Sequence, residues 1–141
     1  MSIKQVHDAL EARAITACTV ISATMPVQYD NVGFTPPNAA KYASLAGSFR
    51  VASEEEHTLG PSGTKLVRGT YQITLVYPLN SGDGAARTDL ETLKGYFPLA
   101  QTTASAGQSV TVRGSFPPNT RTVENTFRAT FSIEWEAIVP K

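Results

Sequence analysis

Cysteine occurs once, as Cys18, and histidine twice, as His7 and His57, in a chain of 141 residues. A single thiol excludes an intramolecular disulfide and leaves no cysteine pair for a structural metal, a pattern that suits a reducing cytoplasm. Charge of one sign is missing as well: 12 Lys and Arg balance 12 Asp and Glu, and residues 1–70 and 71–141 each hold six of either sign. Without a basic arm or stripe there is no footprint for gripping a nucleic-acid backbone. Long apolar runs are absent too. The opening stretch MSIKQVHDALEARAITACTVIS is broken by Lys4, His7, Asp8, Glu11 and Arg13. That excludes the apolar core of a secretion signal and a membrane span of about 20 residues, and sets the expectation of a soluble protein used without export.

What is present is strong periodicity. Ile3, Val6, Leu10, Ala14, Ala17 and Ile21 follow helical spacing and predict an amphipathic helix over residues 3–21, with Ser2 and Gln5 as a capping box. Met25 to Val27 suggest a short strand, and SFRVAS from Ser48 suggests another. EEEHTLGPSGT after it reads as a solvated turn. In LVRGTYQITLVYP, Val67, Tyr71, Ile73, Leu75 and Tyr77 share one face opposite Arg68, Thr70, Gln72 and Thr74, and Pro78 ends the run. Ala86, Leu90, Leu93 and Phe97 predict a second helix over residues 84–97, with Thr88 and Glu91 or Asp83 as caps. TTASAGQ reads as a loop, SVTVRG as a short strand and SFPPNT as a turn.

The strongest alternation closes the chain. Phe127, Ala129, Phe131, Ile133, Trp135, Ala137 and Val139 alternate with Arg128, Thr130, Ser132, Glu134 and Glu136. Each large apolar side chain buried contributes about 1.5–3 kcal/mol, so this strand and the Tyr71–Tyr77 strand must be central. The expected fold is α+β: one domain over residues 1–141, with two helices packed against a mainly antiparallel or mixed sheet. The expected order is helix, two or three strands, helix, two strands.

Groups that attack, shuttle protons or bind metal are sparse. His7 reads as an exposed helix position and Cys18 as a small buried thiol. His57 follows three glutamates without fixed ligand spacing. Ser62 in GPSGT lacks the second glycine of a nucleophile elbow. NSGDGAA is able to hold an anion at a helix start but lacks a phosphate-loop lysine, and capping explains it. Glu134 and Glu136 sit on the wet face of a strand. These residues assign no catalytic, cofactor or metal site, and the expectation is a non-enzyme whose function lies in its surfaces.

One aperiodic stretch remains, NVGFTPPNAAKYASL, with Phe34, Pro36, Pro37 and Tyr42 in a predicted loop. Its aromatics either pack on the domain's own sheet or anchor another subunit, since aromatics are enriched at interface cores. Tyr29, Phe34, Pro36, Pro37 and Tyr42, with Glu54, Glu55 and Glu56 of the second loop, are the candidate interface residues toward a subunit or tube.

MSIKQVHDALEARA, VQYDNVGFTPPNAAKY, GTYQITLVYPLNSGDGAARTDLETLKGYF and the alternating C-terminal strand together resemble the tail terminator proteins of long-tailed, non-contractile phages and prophages, the group of the minor tail protein U. The resemblance covers nearly the whole chain and is one of pattern and order, with no catalytic motif. It implies a structural virion protein: a homo-oligomer, typically a six-membered ring, that caps the tail tube, ends polymerisation of the tail tube protein and offers a docking face to head-tail connector proteins. DNA would pass through the ring without specific binding, no cofactor or membrane is involved, and the place of action is the tail end of the virion after assembly in the host cytoplasm. A head-closure or connector protein, another minor tail component, and a non-viral binding module are the alternative readings.

Overall fold

The computed structural model describes residues 3–30, 32–37, 40–79, 84–100, 102–105, 108–116, 119–123 and 126–141, with backbone alone for 102–105. Ser2 and Asp83, expected to cap helices, and most of the NSGDGAA turn lie outside these residues. Thr88 is no cap: it sits inside its helix and donates back to the Gly84 carbonyl at 3.1 Å.

Two 15-residue strands form the spine, β4 (Thr64–Pro78) and β8 (Thr126–Pro140), paired antiparallel along their whole length from Thr64 opposite Pro140 to Pro78 opposite Thr126. They carry the two strongest period-two patterns of the sequence, and their apolar faces coincide in register: Tyr71 faces Ile133, Ile73 faces Phe131, and Leu75 faces Ala129. On the β4 side lie β3 (Phe49–Glu56) and β2 (Tyr42–Ser44), the latter joined in parallel by β1 (Val27–Gln28). The β8 side carries β6 (Gln108–Ser115) and β7 (Asn119–Val123), with β5 (Thr102–Ser105) beyond β6. Among the described residues the sheet is mixed through the β1–β2 pair alone, and the fold is α+β as expected.

Among the described residues four strands precede the second helix and four follow it. The additional ones are short or polar. Tyr42–Ser44 was expected to be loop, Thr102–Ser105 was read within a polar loop, and Asn119 and Thr120 within a turn. Their pairing to β4, β6 and β8 supplies what their own sequence does not, since β-propensity depends on neighbours more than on the residue. Glu54, Glu55 and Glu56 are likewise strand, not turn: they pair with Val67, Leu66 and Lys65 after a bulge between Val51 and Ser53.

Both helices cover one face. α1 (Ile3–Ile21) buries Val6, Ala9, Leu10, Ala14, Ala17 and Cys18, and α2 (Gly84–Tyr96) buries Ala86, Asp89, Leu90 and Leu93. They meet the inner side chains of β4 and β8 in one core that includes Tyr71, Phe97, Phe131 and Trp135. Two polar devices lock the layers. Arg13 of α1 donates to the Tyr96 carbonyl at the end of α2 at 2.7 Å and lies over the Tyr96 ring. Buried Asp89 accepts from the Tyr77 hydroxyl at 2.5 Å and from Lys41 at 3.2 Å, tying α2 to β4 and to the segment before β2. A buried carboxylate needs such partners.

Gly69 is required by the core. A Cβ there would stand 2.0 Å from the Arg50 carbonyl oxygen and 2.6 Å from the Trp135 ring. The space it leaves lets Trp135 lie across β4 and stack on Phe49 at 5.1 Å, and Phe49 in turn meets His7 of α1 in a T-shaped contact.

Candidate assembly surface

Of the loop residues singled out in the sequence, Tyr42 belongs to the fold. It is 7% exposed in β2 opposite Val76, so of the two readings of this loop, packing on the domain's own sheet holds for Tyr42. Phe34 is half-buried against it, ring centroids 5.1 Å apart, while Pro36 is exposed and Pro37 half-buried. Tyr29 packs half-buried beside the core, where burial, with the charges of Glu11 and Cys18, raises its hydroxyl pKa. The turn between β2 and β3 is pinned by Asp30, whose carboxylate accepts from the Gly47 amide at 2.7 Å, with Gly47 at φ 67°.

Glu54, Glu55 and Glu56 stand apart from this group. Val67, the partner of Glu54, is nine residues from Val76, the partner of Tyr42, about 30 Å along β4. All three glutamates are exposed and each meets a cation: Lys65 at 2.9 Å, Arg68 at 3.6 Å and Lys141 at 2.8 Å. Arg68 and Arg113 both approach Glu136, so a ladder of alternating charge crosses four strands on the face away from the helices. The sheet thus has one apolar face under helices and one face bare of them that is polar except where Tyr42 and Val76 are buried at the β2 end.

Three features escaped the sequence reading. The β3–β4 turn holds Leu59 at 89% exposure, and Lys141 braces that turn by donating to Glu56 and to the Thr58 and Gly60 carbonyls at 2.6–3.0 Å. A cleft of about 620 Å³ runs between α2 and the β6–β8 region, lined by Leu90, Lys94, Phe116 and Phe131. Arg121 and Arg128 lie directly opposite on β7 and β8. The run TRTV at Thr120 to Val123, rich in β-branched residues, was the available signal for β7.

Cys18, His57 and Ser62 do not come together among the described residues. Burial pushes the Cys18 thiol up to about 11, so it stays protonated at neutral pH. His57 and Ser62 are exposed around the β3–β4 turn. His7, Asp8 and Glu11 place their ligand atoms within 4.8 Å of one another on α1, the arrangement of a surface network in which Lys4 pairs with Asp8 at 2.8 Å.

No curated protein matches the chain. Among solved structures, a chain without a descriptive name is similar at TM-score 0.72 and 24% identity, covering 97% of this chain and 96% of that one. A chain of the virion of a native gene transfer agent particle is similar at TM-score 0.70 and 17% identity, covering 95% and 98%. At these identities the likeness is one of fold. The family model described as phage tail terminator protein matches residues 5–135. That span runs from α1 through most of β8, and the protein belongs to the phage tail terminator family, structural proteins of the phage tail.

Proposed function

We propose that this chain assembles as a ring on the end of the tail tube, stops further addition of tube subunits and presents a docking face for the proteins that join tail to head. The observation that carries this reading is the family match across residues 5–135. The surface is compatible with it. A face of exposed charge opposite a helix-covered core, a rigid exposed turn and a prominent aromatic loop are means of binding protein neighbours rather than of transforming a substrate. The exposed Val32 and Pro36, with half-buried Phe34 packed on Tyr42, make the loop at residues 29–42 one contact with a neighbouring subunit or the tube; Glu54 to Glu56 lie on a second.

Light scattering after size exclusion, with electron micrographs of the purified protein and of tail tubes incubated with it, tests the reading. Six chains of 15.1 kDa give a species of about 91 kDa that appears as a ring, alone or at tube ends. Tubes that neither bind the protein nor stop growing in its presence would refute it.

A further inference from the structure

Closed rings are made from heterologous contacts, in which two different patches of one chain meet on adjacent copies. The sheet offers two such patches as free strand edges. Among the described residues β3 pairs with β4 alone and β7 with β8 alone, so each turns a row of backbone donors and acceptors outward. The two lie on opposite sides of the spine and at opposite ends of it. Most of β3 is exposed, as is all of β7 except half-buried Val123. The other outer strands are less suited: β1 has two residues, and β5 packs against α1.

Direction and charge agree. β3 is antiparallel to β4, β4 to β8 and β8 to β7. If neighbouring copies continue one sheet in the same sense, β7 of one copy meets β3 of the next in the antiparallel sense. β3 carries three consecutive glutamates. β7 carries Arg121, facing Arg128, and neither arginine has an anionic partner among the described residues; the Arg128 Nε is buried without an acceptor. Like charges directly opposite in a sheet are unfavourable unless an anion joins them. Face parity selects the anion. Arg121 shares a face with Arg128 and Val76, the outer one, and on β3 that face belongs to Ser53 and Glu55, beside Arg68.

We infer that β7 of one copy adds to the β3 edge of the next, Asn119–Val123 against Ser53–His57, with Arg121 opposite Glu55. This deepens the ring reading and rests on it. Glu55 is already near Arg68 at 3.6 Å, but an ion pair with both partners about half exposed contributes little, so sharing it costs little. The bulge between Val51 and Ser53 ends the added ladder on one side. Glu55 pairs with Leu66 of β4, whereas Arg121 lies through Arg128 level with Val76, an offset of ten residues or about 33 Å. A ring closed this way has strands inclined to its axis, as closed barrels do.

The test is a charge exchange read by sedimentation of the protein alone and by its binding to tail-tube ends. Arg121→Glu and Glu55→Arg are each expected to weaken self-association at least about tenfold, and the two together to restore it to within about threefold. Independently, Ser53→Cys with Val123→Cys should give a covalent ladder under oxidation, and neither cysteine alone should. Cys18 is buried and silent in this assay. Assembly that persists without rescue or cross-linking overturns the edge contact and leaves the ring intact. Absence of assembly both alone and on tubes overturns the ring as well.

Discussion

At the scale of single residues, the aromatic loop divides into a part that makes the fold and a part that faces outward. Tyr42 is buried against β4, so Tyr42→Ala should cost about 3–5 kcal/mol in urea unfolding. Phe34 lies half-buried on top of it, and Phe34→Ala should cost less than half as much while still impairing assembly on tail tubes. Equal losses of stability for both would place Phe34 in the core and remove it from the surface. Gly69 has no tolerance at all. The atom nearest to an added Cβ is the backbone oxygen of Arg50, which cannot rotate away, so Gly69→Ala should cost about 3 kcal/mol or more. Tyr77→Phe leaves Asp89 with Lys41 as its remaining partner among the described residues and should cost about 1–3 kcal/mol.

At the scale of elements, the β3–β4 turn is held by one side chain from the far end of the chain. Lys141 donates to Glu56 and to two carbonyls of the turn. Lys141→Ala should therefore speed hydrogen exchange at Thr58 and Gly63 about fivefold to tenfold while β4 and β8 keep their protection. Equal acceleration across the spine would mean that the lysine supports the sheet globally. The same elements mark where the sequence was legible. α1, α2, β4 and β8 have apolar periods that only one element type satisfies, and their burial follows the pattern with few departures, chiefly Val76 of β4 and Asp89 of α2. β2, β5 and β7 have three to five residues each and no period of their own; a long neighbour makes them strands. Glu54 to Glu56 read as turn because three charges in a row fit no half-buried face. They are tolerated in β3 because that strand is an edge, where charge also discourages indiscriminate pairing. Of the surface, the aromatic loop was visible as an anomaly, whereas Arg121 facing Arg128 depends on a register that residue types alone do not encode.

At the scale of the whole molecule, the helix-covered core makes stability sensitive to alkaline pH. Cys18, Tyr71 and Tyr77 are buried, and desolvation is the first cause of the rise in each pKa, with hydrogen bonding to Asp89 adding to it for Tyr77. Each group is neutral when protonated, so at neutral pH none opposes folding. The unfolded chain ionises first: Cys18 near 9.0 against about 11 in the fold, and the tyrosines near 10.0 against higher values. Below pH 9 this contribution to stability is fully present, and it is lost as pH rises toward the folded values, because the unfolded state then binds fewer protons than the native one. For Cys18 the loss approaches about 2–3 kcal/mol by pH 11. Urea midpoints at pH 8, 9, 10 and 11 should fall with a slope that Cys18→Ala reduces, even though that substitution lowers the midpoint at pH 8 by leaving a small cavity. An unchanged slope in the variant would mean that the thiol reaches solvent before the chain unfolds, and that α1 lifts from the sheet as a separate step.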